Sequence, residues 1–391
     1  MKAVCFDDVV DRKGSGSAKW DDAARLFGSE DVLPMWVADM DFPSPPAVLE
    51  ALAARVQHGI FGYPSPHSYA YDAVADWLDK RLDWKADPGW MVSTPGVVTA
   101  ITLAVQTFTK PGDKIIIQPP VYPPFFSCVL NNNRTLIENP LIHQAGEYRM
   151  DFDDLANKAR DAKMLILCSP HNPVGRVWSR PELTTLAKIC ADNGVLIVSD
   201  EIHGDLVYAG YRHIPVASLE SAIPNQAVTF IAPSKTFNTA GLYTSVAIIP
   251  DNNLRREFAK TAQLLGIGKN NVFGITALEA AYRYGAPWLD RLLPYLADNA
   301  QYLTRYIADN IPAIKVDKPQ GTFLAWLDCR DLGLAPAALA KFFVQKAKVG
   351  LNDGLTFGKQ GSGFMRLNFG CPRPVLTEGL HRIRQAVSSQ L

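Results

Sequence analysis

Cysteine is scarce and scattered. The six residues, at positions 5, 128, 168, 190, 329 and 371, include no Cys-x-x-Cys pair, which argues against a zinc site or a disulfide framework and for a reducing compartment. Excess charge of either sign is missing as well. With 39 Lys+Arg against 39 Asp+Glu, electrostatics give no reason to expect nucleic acid or a membrane surface as partner. No apolar run approaches the ~18 residues of a membrane span. Met1–Asp8 lacks the apolar core of a signal peptide, so a cytoplasmic protein is expected. Internal repeats and low-complexity tracts are absent, and so is the Gly-x-x-x-x-Gly-Lys of a nucleotide P-loop. A Ser-x-x-Lys nucleophile would need serine where Ala232 stands, and Gly361-Ser362-Gly363 lacks the Gly-x-Ser-x-Gly spacing of a hydrolase elbow. What is present is an ordinary globular composition, 48% hydrophobic and 20% charged over 391 residues, long enough for a large core and two domains.

Residues 1 to about 30 are polar and turn-rich and read as an arm lying on the surface. The mixed apolar and acidic segment Leu33–Phe42 ends at Pro43-Ser44-Pro45-Pro46, whose prolines block regular structure and suit a domain boundary. Helical spacing marks Ala47–Gln57 and Tyr69–Leu82, with the loop Phe61-Gly62-Tyr63-Pro64 between them. From Met91 the pattern changes to strand, turn, helix. Met91–Ser93, Lys114–Gln118, Leu136–Ile137, Met164–Cys168, Val195–Ser199 and Ala227–Ile231 read as short strands. Val97–Phe108, Pro123–Leu130, Asp153–Ala159 and Pro181–Ala191 read as helices. Continuous apolar strands alternating with helices predict an α/β fold with a mainly parallel sheet covered on both faces. Beyond Gly285 a second unit is expected: a long helix Trp288–Asn310, a strand Gln320–Leu327, a largely helical Pro336–Val349, a strand Phe364–Phe369 and a closing helix Val375–Val387.

In such sheets ligands sit beyond the carboxyl ends of the strands, and that is where the informative residues fall. Met164–Cys168 leads into Ser169-Pro170-His171-Asn172-Pro173-Val174-Gly175, Val195–Ser199 into Asp200-Glu201-Ile202-His203, and Ala227–Ile231 into Ser234-Lys235. Three consecutive strands thus deliver an asparagine, an aspartate and a lysine to one edge. A lysine there can be desolvated and used as a nucleophile toward an aldehyde. Pyridoxal phosphate needs this set: a lysine for its aldehyde, a carboxylate for the pyridinium nitrogen and a side-chain donor for the phenolate oxygen. Each residue alone has a plainer explanation, with Asn172-Pro173 a turn, Asp200 a helix cap and His203 a surface histidine. Their order and spacing, 28 and then 35 positions apart, favour the cofactor. Pro95-Gly96 before the helix Val97–Phe108 would let backbone N–H groups approach a phosphate, although alone it also reads as a simple turn.

Taken with Lys19-Trp20-Asp21, Gly62-Tyr63-Pro64, Thr94–Val98, Gln118–Phe125, Pro233–Asn238, Gly321-Thr322-Phe323 and Met365-Arg366-Leu367-Asn368, the chain resembles the fold-type I pyridoxal-phosphate enzymes of the class I/II aminotransferase superfamily. More narrowly it resembles the MalY/PatB group of cystathionine β-lyase-like carbon–sulfur lyases. The resemblance implies a large domain, 49–286, with a mainly parallel seven-stranded sheet. It implies a smaller α+β domain from 287–391 completed by the arm and segment 1–48. It assigns Lys235 to the cofactor and to catalysis, Asp200 to the ring nitrogen, Asn172 to the phenolate oxygen and Tyr122 to the ring face. Gly96, Val97 and Ser234 would hold the phosphate, with Tyr63 reaching it from a second subunit of a homodimer. Arg366 would bind the substrate carboxylate, with Ala38 and Asn172 beside the substrate. His203 stands where aminotransferases carry a tyrosine, and Tyr243 and Ala232 replace a phosphate-binding arginine and a serine, so His203 has no firm role beyond lying at the cofactor. No metal is implied. The expected reaction is α,β-elimination from a small sulfur-containing amino acid, giving a thiol, pyruvate and ammonia. An aminotransferase is the alternative, and a regulatory protein retaining the fold comes third.

Overall fold

The computed structural model describes residues 5–65, 70–219 and 226–390. The large sheet has seven strands: β1 (Met91–Thr94), β2 (Lys114–Ile117), β3 (Thr135–Glu138), β4 (Ala162–Cys168), β5 (Leu196–Asp200), β6 (Ala227–Ile231) and β7 (Ser245–Ile248). Their spatial order is β1-β7-β6-β5-β4-β2-β3. All pairs are parallel except those of β7, which runs antiparallel to both β1 and β6. Alternation along the strands feeds two cores. Met164, Ile166 and Cys168 of β4 join one cluster with Ala100, Ile101 and Ala104 of the helix Val97–Phe108, while Leu165 and Leu167 join the other. Both faces are dry, which is why these strands read as unbroken apolar runs.

A second, antiparallel sheet comprises β8 (Lys315–Val316), β9 (Leu324–Asp328), β10 (Asn352–Asp353) and β11 (Phe364–Asn368), in the order β8-β9-β11-β10. The helices Ala286–Asn310 and Arg373–Ser388 pack together on this part of the chain. Segment Leu33–Pro34 pairs with Val349–Gly350, so the arm side of the molecule is joined to the C-terminal unit.

Four expectations need correction. The arm is not simply superficial: Phe6 is buried against Phe42, Trp288 and Tyr295, and Lys19 is 1% exposed. The strand expected from Gln320 starts at Leu324, because Gln320–Thr322 bond instead to the backbone of Gly175 and Leu206. The helix from Pro336 stops at Gln345. Strand β7 and the helices Asn252–Leu264 and Val272–Tyr284 are not among the elements expected from the sequence. An antiparallel strand needs no crossover helix to announce it, and Val272–Tyr284 is buried over most of its circumference, which flattens its periodicity. The expected start of the second helix, Tyr69, lies outside the described residues; Tyr71–Leu82 is helical and buries Ala73, Val74, Trp77 and Leu78.

Candidate active site

Strands β4, β5 and β6 lie side by side, Cys168 level with Asp200 and Asp200 level with Phe230. Their carboxyl ends therefore open at one edge, and β1 ends there too. A cavity of about 240 Å³ lies at that edge and is lined by Gly96, Val97, Tyr122, Asn172, Asp200, His203, Ser234 and Lys235 from the large sheet and by Ala38 from the other side. Arg366, on β11, reaches in from the second sheet and donates from Nη1 to Asn172 Oδ1 at 3.0 Å. Tyr63, also singled out in the sequence, is 98% exposed and is not among the residues that line the cavity. A larger cleft of about 430 Å³ between Phe27 and Phe343 has only Lys341 and Asp353 as titratable groups in its lining.

The electrostatics of the cavity follow from burial. Burial pushes the Lys235 amine down to about 8, with Asp39 pulling it up, Arg366 pushing it down and Asp200 pulling it up. Its Nζ donates to the Ala38 carbonyl at 2.7 Å. Burial also raises the Asp200 carboxyl to about 7, against the backbone N–H of Ile202 at 3.1 Å and the charge of Lys235. His203 is held well below its ordinary range by burial and by the cations Lys235 and Arg366, so its ring is neutral. Burial and the charge of Asp200 push Tyr122 up to about 12, keeping its hydroxyl protonated. Arg366 is brought down to about 10 because it is buried among neutral acceptors. These are Asn172 Oδ1, the Trp36 carbonyl at 2.8 Å and Asn352 Oδ1 at 2.6 Å, and Nε has no partner among the described residues.

These features fit pyridoxal phosphate. Asp200 is a buried carboxyl that accepts from the backbone N–H of Ile202, and a protonated ring nitrogen is the partner that would stabilise its ionised form. Among the described residues, His203 Nδ1 is buried without a partner. Gly96 has φ +139°, and apart from its chain neighbours no atom of the described residues lies within 4 Å of where a Cβ would stand, leaving open backbone at the head of the helix Val97–Phe108. The buried, uncompensated guanidinium of Arg366 suits an incoming carboxylate in the same way.

A model of the family "aminotransferase class I and II" matches residues 30–383. The chain belongs to the class I and II aminotransferase family. Within that family, the cystathionine beta-lyase PatB of Bacillus subtilis (strain 168) is 47% identical over 385 residues, covering 98% of this chain and 100% of that protein. Among solved structures, a PLP-bound putative aminotransferase from Clostridium difficile 630 superposes with a TM-score of 0.96 at 44% identity, covering 98% of this chain and 99% of that one. Cystalysin from Treponema denticola, whose structure contains a pyridoxal 5'-phosphate cofactor, also gives a TM-score of 0.96, at 36% identity over 99% of this chain and all of that one.

Sequence reasoning missed the residues that hold the family's site together. Asn238 accepts from Met40 N and donates to the carbonyls of Met40 and Phe42; Asn368 donates to those of Val37 and Asp39. Cys168 Sγ accepts from Asn172 N at 3.3 Å. Asn238 and Asn368 lie inside motifs quoted above, and that was their only signal. Tyr243, placed against the missing arginine, lines the cavity with its side chain 68% exposed.

Proposed function

We propose that the protein is a pyridoxal-phosphate-dependent carbon–sulfur β-lyase acting on a small sulfur-containing amino acid. The observation that carries this reading is the convergence of Asn172, Asp200 and Lys235 at three adjacent strand ends, facing an Arg366 surrounded by neutral acceptors. The 47% identity to a protein named cystathionine beta-lyase supports the choice of reaction. When bound, the cofactor supplies an aldehyde for Lys235 and a ring able to accept the electron pair left at Cα. Gly96, Val97 and Ser234 would hold its phosphate, Asp200 its ring nitrogen, Asn172 and His203 its phenolate side, and Tyr122 its ring face.

The protein's own groups orient the substrate and move the proton. Arg366 grips the α-carboxylate with its planar fork and turns the Cα–H toward Lys235, between Ala38 and Asn172. Burial keeps the Lys235 amine near neutrality, so Nζ can take the Cα proton as general base. The carbonyl of Ala38 accepts one of its N–H bonds and fixes its direction. With the proton gone, the Cβ–S bond breaks and a thiolate leaves. Hydrolysis of the remaining three-carbon fragment gives pyruvate and ammonia.

In the same reading the protein is a cytoplasmic homodimer, and Tyr63 serves the cavity of a second copy, which agrees with its exposure on its own chain. No helix among the described residues is long and apolar enough to cross a membrane. The division into 49–286 and 1–48 with 287–391 separates the elements carrying Lys235 from those carrying Ala38 and Arg366. Supplying cystathionine or S-alkyl cysteine without any 2-oxo acid tests the reaction. Thiol, pyruvate and ammonia should appear in equal amounts. Turnover that needs a 2-oxo acid and frees no thiol would make the protein an aminotransferase, and failure to take up the cofactor would leave a regulatory role.

A further inference from the structure

We propose that Arg12 and Lys19 of the N-terminal arm are positioning residues for this reaction, acting through the strap Trp36–Asp41 that lies over Lys235. Five successive strap carbonyls, from Trp36 to Met40, each accept a hydrogen bond from a side chain outside the strap. Arg366 Nη2 donates to Trp36 at 2.8 Å, and Asn368 Nδ2 to Val37 and Asp39 at 2.5 and 2.6 Å. Lys235 Nζ donates to Ala38 at 2.7 Å and Asn238 Nδ2 to Met40 at 2.9 Å. The strap therefore touches both the amine read as the base and the guanidinium read as the carboxylate clamp.

The arm fixes the strap's two acids. Arg12 bridges them, with Nη1 and Nη2 on Asp39 at 3.0 and 2.8 Å and Nη1 on Asp41 at 2.7 Å. Lys19, 1% exposed, places Nζ 2.5 Å from Asp41, which also accepts from Trp20 Nε1 at 3.0 Å. Trp36 Nε1 closes the ring by donating to the Lys19 carbonyl at 3.1 Å. The Lys19–Asp41 pair is buried and the Arg12–Asp39 pair partly so, and removing one partner of such a pair leaves a poorly solvated charge that must find a new position. What this geometry sets is where Asp39 stands relative to Lys235. Asp39 and Asp200 raise the amine's proton affinity, while burial and Arg366 lower it. Tyr122, Cys168 and His203, which face the same cavity, are all held uncharged by burial. Movement of the strap is thus the means by which the arm would alter the base.

The proposal rests on Lys235 being that base, and its test is kept separate from turnover. The 391-residue protein, freed of cofactor, is acylated over a range of pH and the Lys235 peptide is followed by mass spectrometry. Asp39→Asn and Arg12→Met should both shift the labelling midpoint downward, by at least about half a pH unit. The first removes the carboxylate's charge, and the second lets the strap carry it away. If Arg12 acted by charge alone, its loss would shift the midpoint upward; if it were only structural, Tm would fall and the midpoint would stay. Either result overturns the proposal. Arg12→Lys keeps the charge but cannot bridge both acids, so it should give a smaller downward shift, and it serves as the test variant if Arg12→Met fails to fold. These labelling results hold whichever reaction the loaded protein performs.

Discussion

Asp200 is expensive for the protein to keep. Folded, it holds its proton up to about pH 7, whereas an unfolded aspartate releases it near ~3.9. Between those values the folded form binds more protons, so stability falls as pH rises through the window and stays reduced above it. An asparagine has no such charge to bury. The cofactor-free Asp200→Asn variant should therefore melt higher than the parent by on the order of 2 °C at pH 8, and by less at pH 5. Its affinity for pyridoxal phosphate should fall. Equal gains at the two pH values in differential scanning fluorimetry would rule out the buried carboxylate as the cause. Arg366→Lys makes a parallel case on the substrate side. The lysine keeps the charge but loses the fork, so kcat/KM for thiol release should drop about 100-fold, with most of the loss in KM. The strand-end residues were legible because a buried strand is read from its composition and its end is where ligands gather. Asn238 and Asn368 were not, because side-chain bonds to a backbone 198 and 331 residues away leave no periodic trace.

At the scale of elements, the junction Gln320–Phe323 carries the strain. Thr322, a β-branched residue, sits at φ +66°, a conformation such side chains seldom adopt. It is held there by its N–H on the Leu206 carbonyl, and its own carbonyl accepts from the Tyr208 hydroxyl. Gln320 accepts from Arg176 and from Val177 N. These bonds fasten the start of β9, the neighbour of Arg366's strand, to the segments that follow Asn172 and Asp200. Sequence periodicity extended the strand over this stretch because it sees apolar residues and not which backbone groups are already taken. Close approach is the reason for Gly321, where a Cβ would lie 2.6 Å from the Leu206 carbonyl. Gly321→Ala should cost about 1–3 kcal/mol of stability. Chemical denaturation would show it as a lower midpoint, and an unchanged midpoint would mean that the junction yields freely.

For the whole molecule, the informative feature is apolar surface left uncovered. Phe61 packs on Phe273 at 5.2 Å, and Lys269 lies 5.9 Å from the ring of Tyr63. Asn271 bonds to the Leu242 carbonyl, next to Tyr243 at the cavity wall. Exposed Ile60, Phe61, Tyr63 and Tyr243, at 67%, 53%, 98% and 68%, thus follow one surface that reaches the cavity. Large aromatic side chains left in water at the edge of a site are the mark of an interface. A two-fold dimer on this face would bring each Tyr63 to the other copy's cavity. Complementation decides whether it does. Lys235→Ala and Tyr63→Ala should each be inactive as homodimers. Unfolded together and refolded in equal amounts, they should recover about a quarter of the parent activity, because half of the dimers are mixed and each mixed dimer has one intact site. If Tyr63 served the cavity of its own chain, the mixed dimer would have no intact site and the mixture would stay inactive.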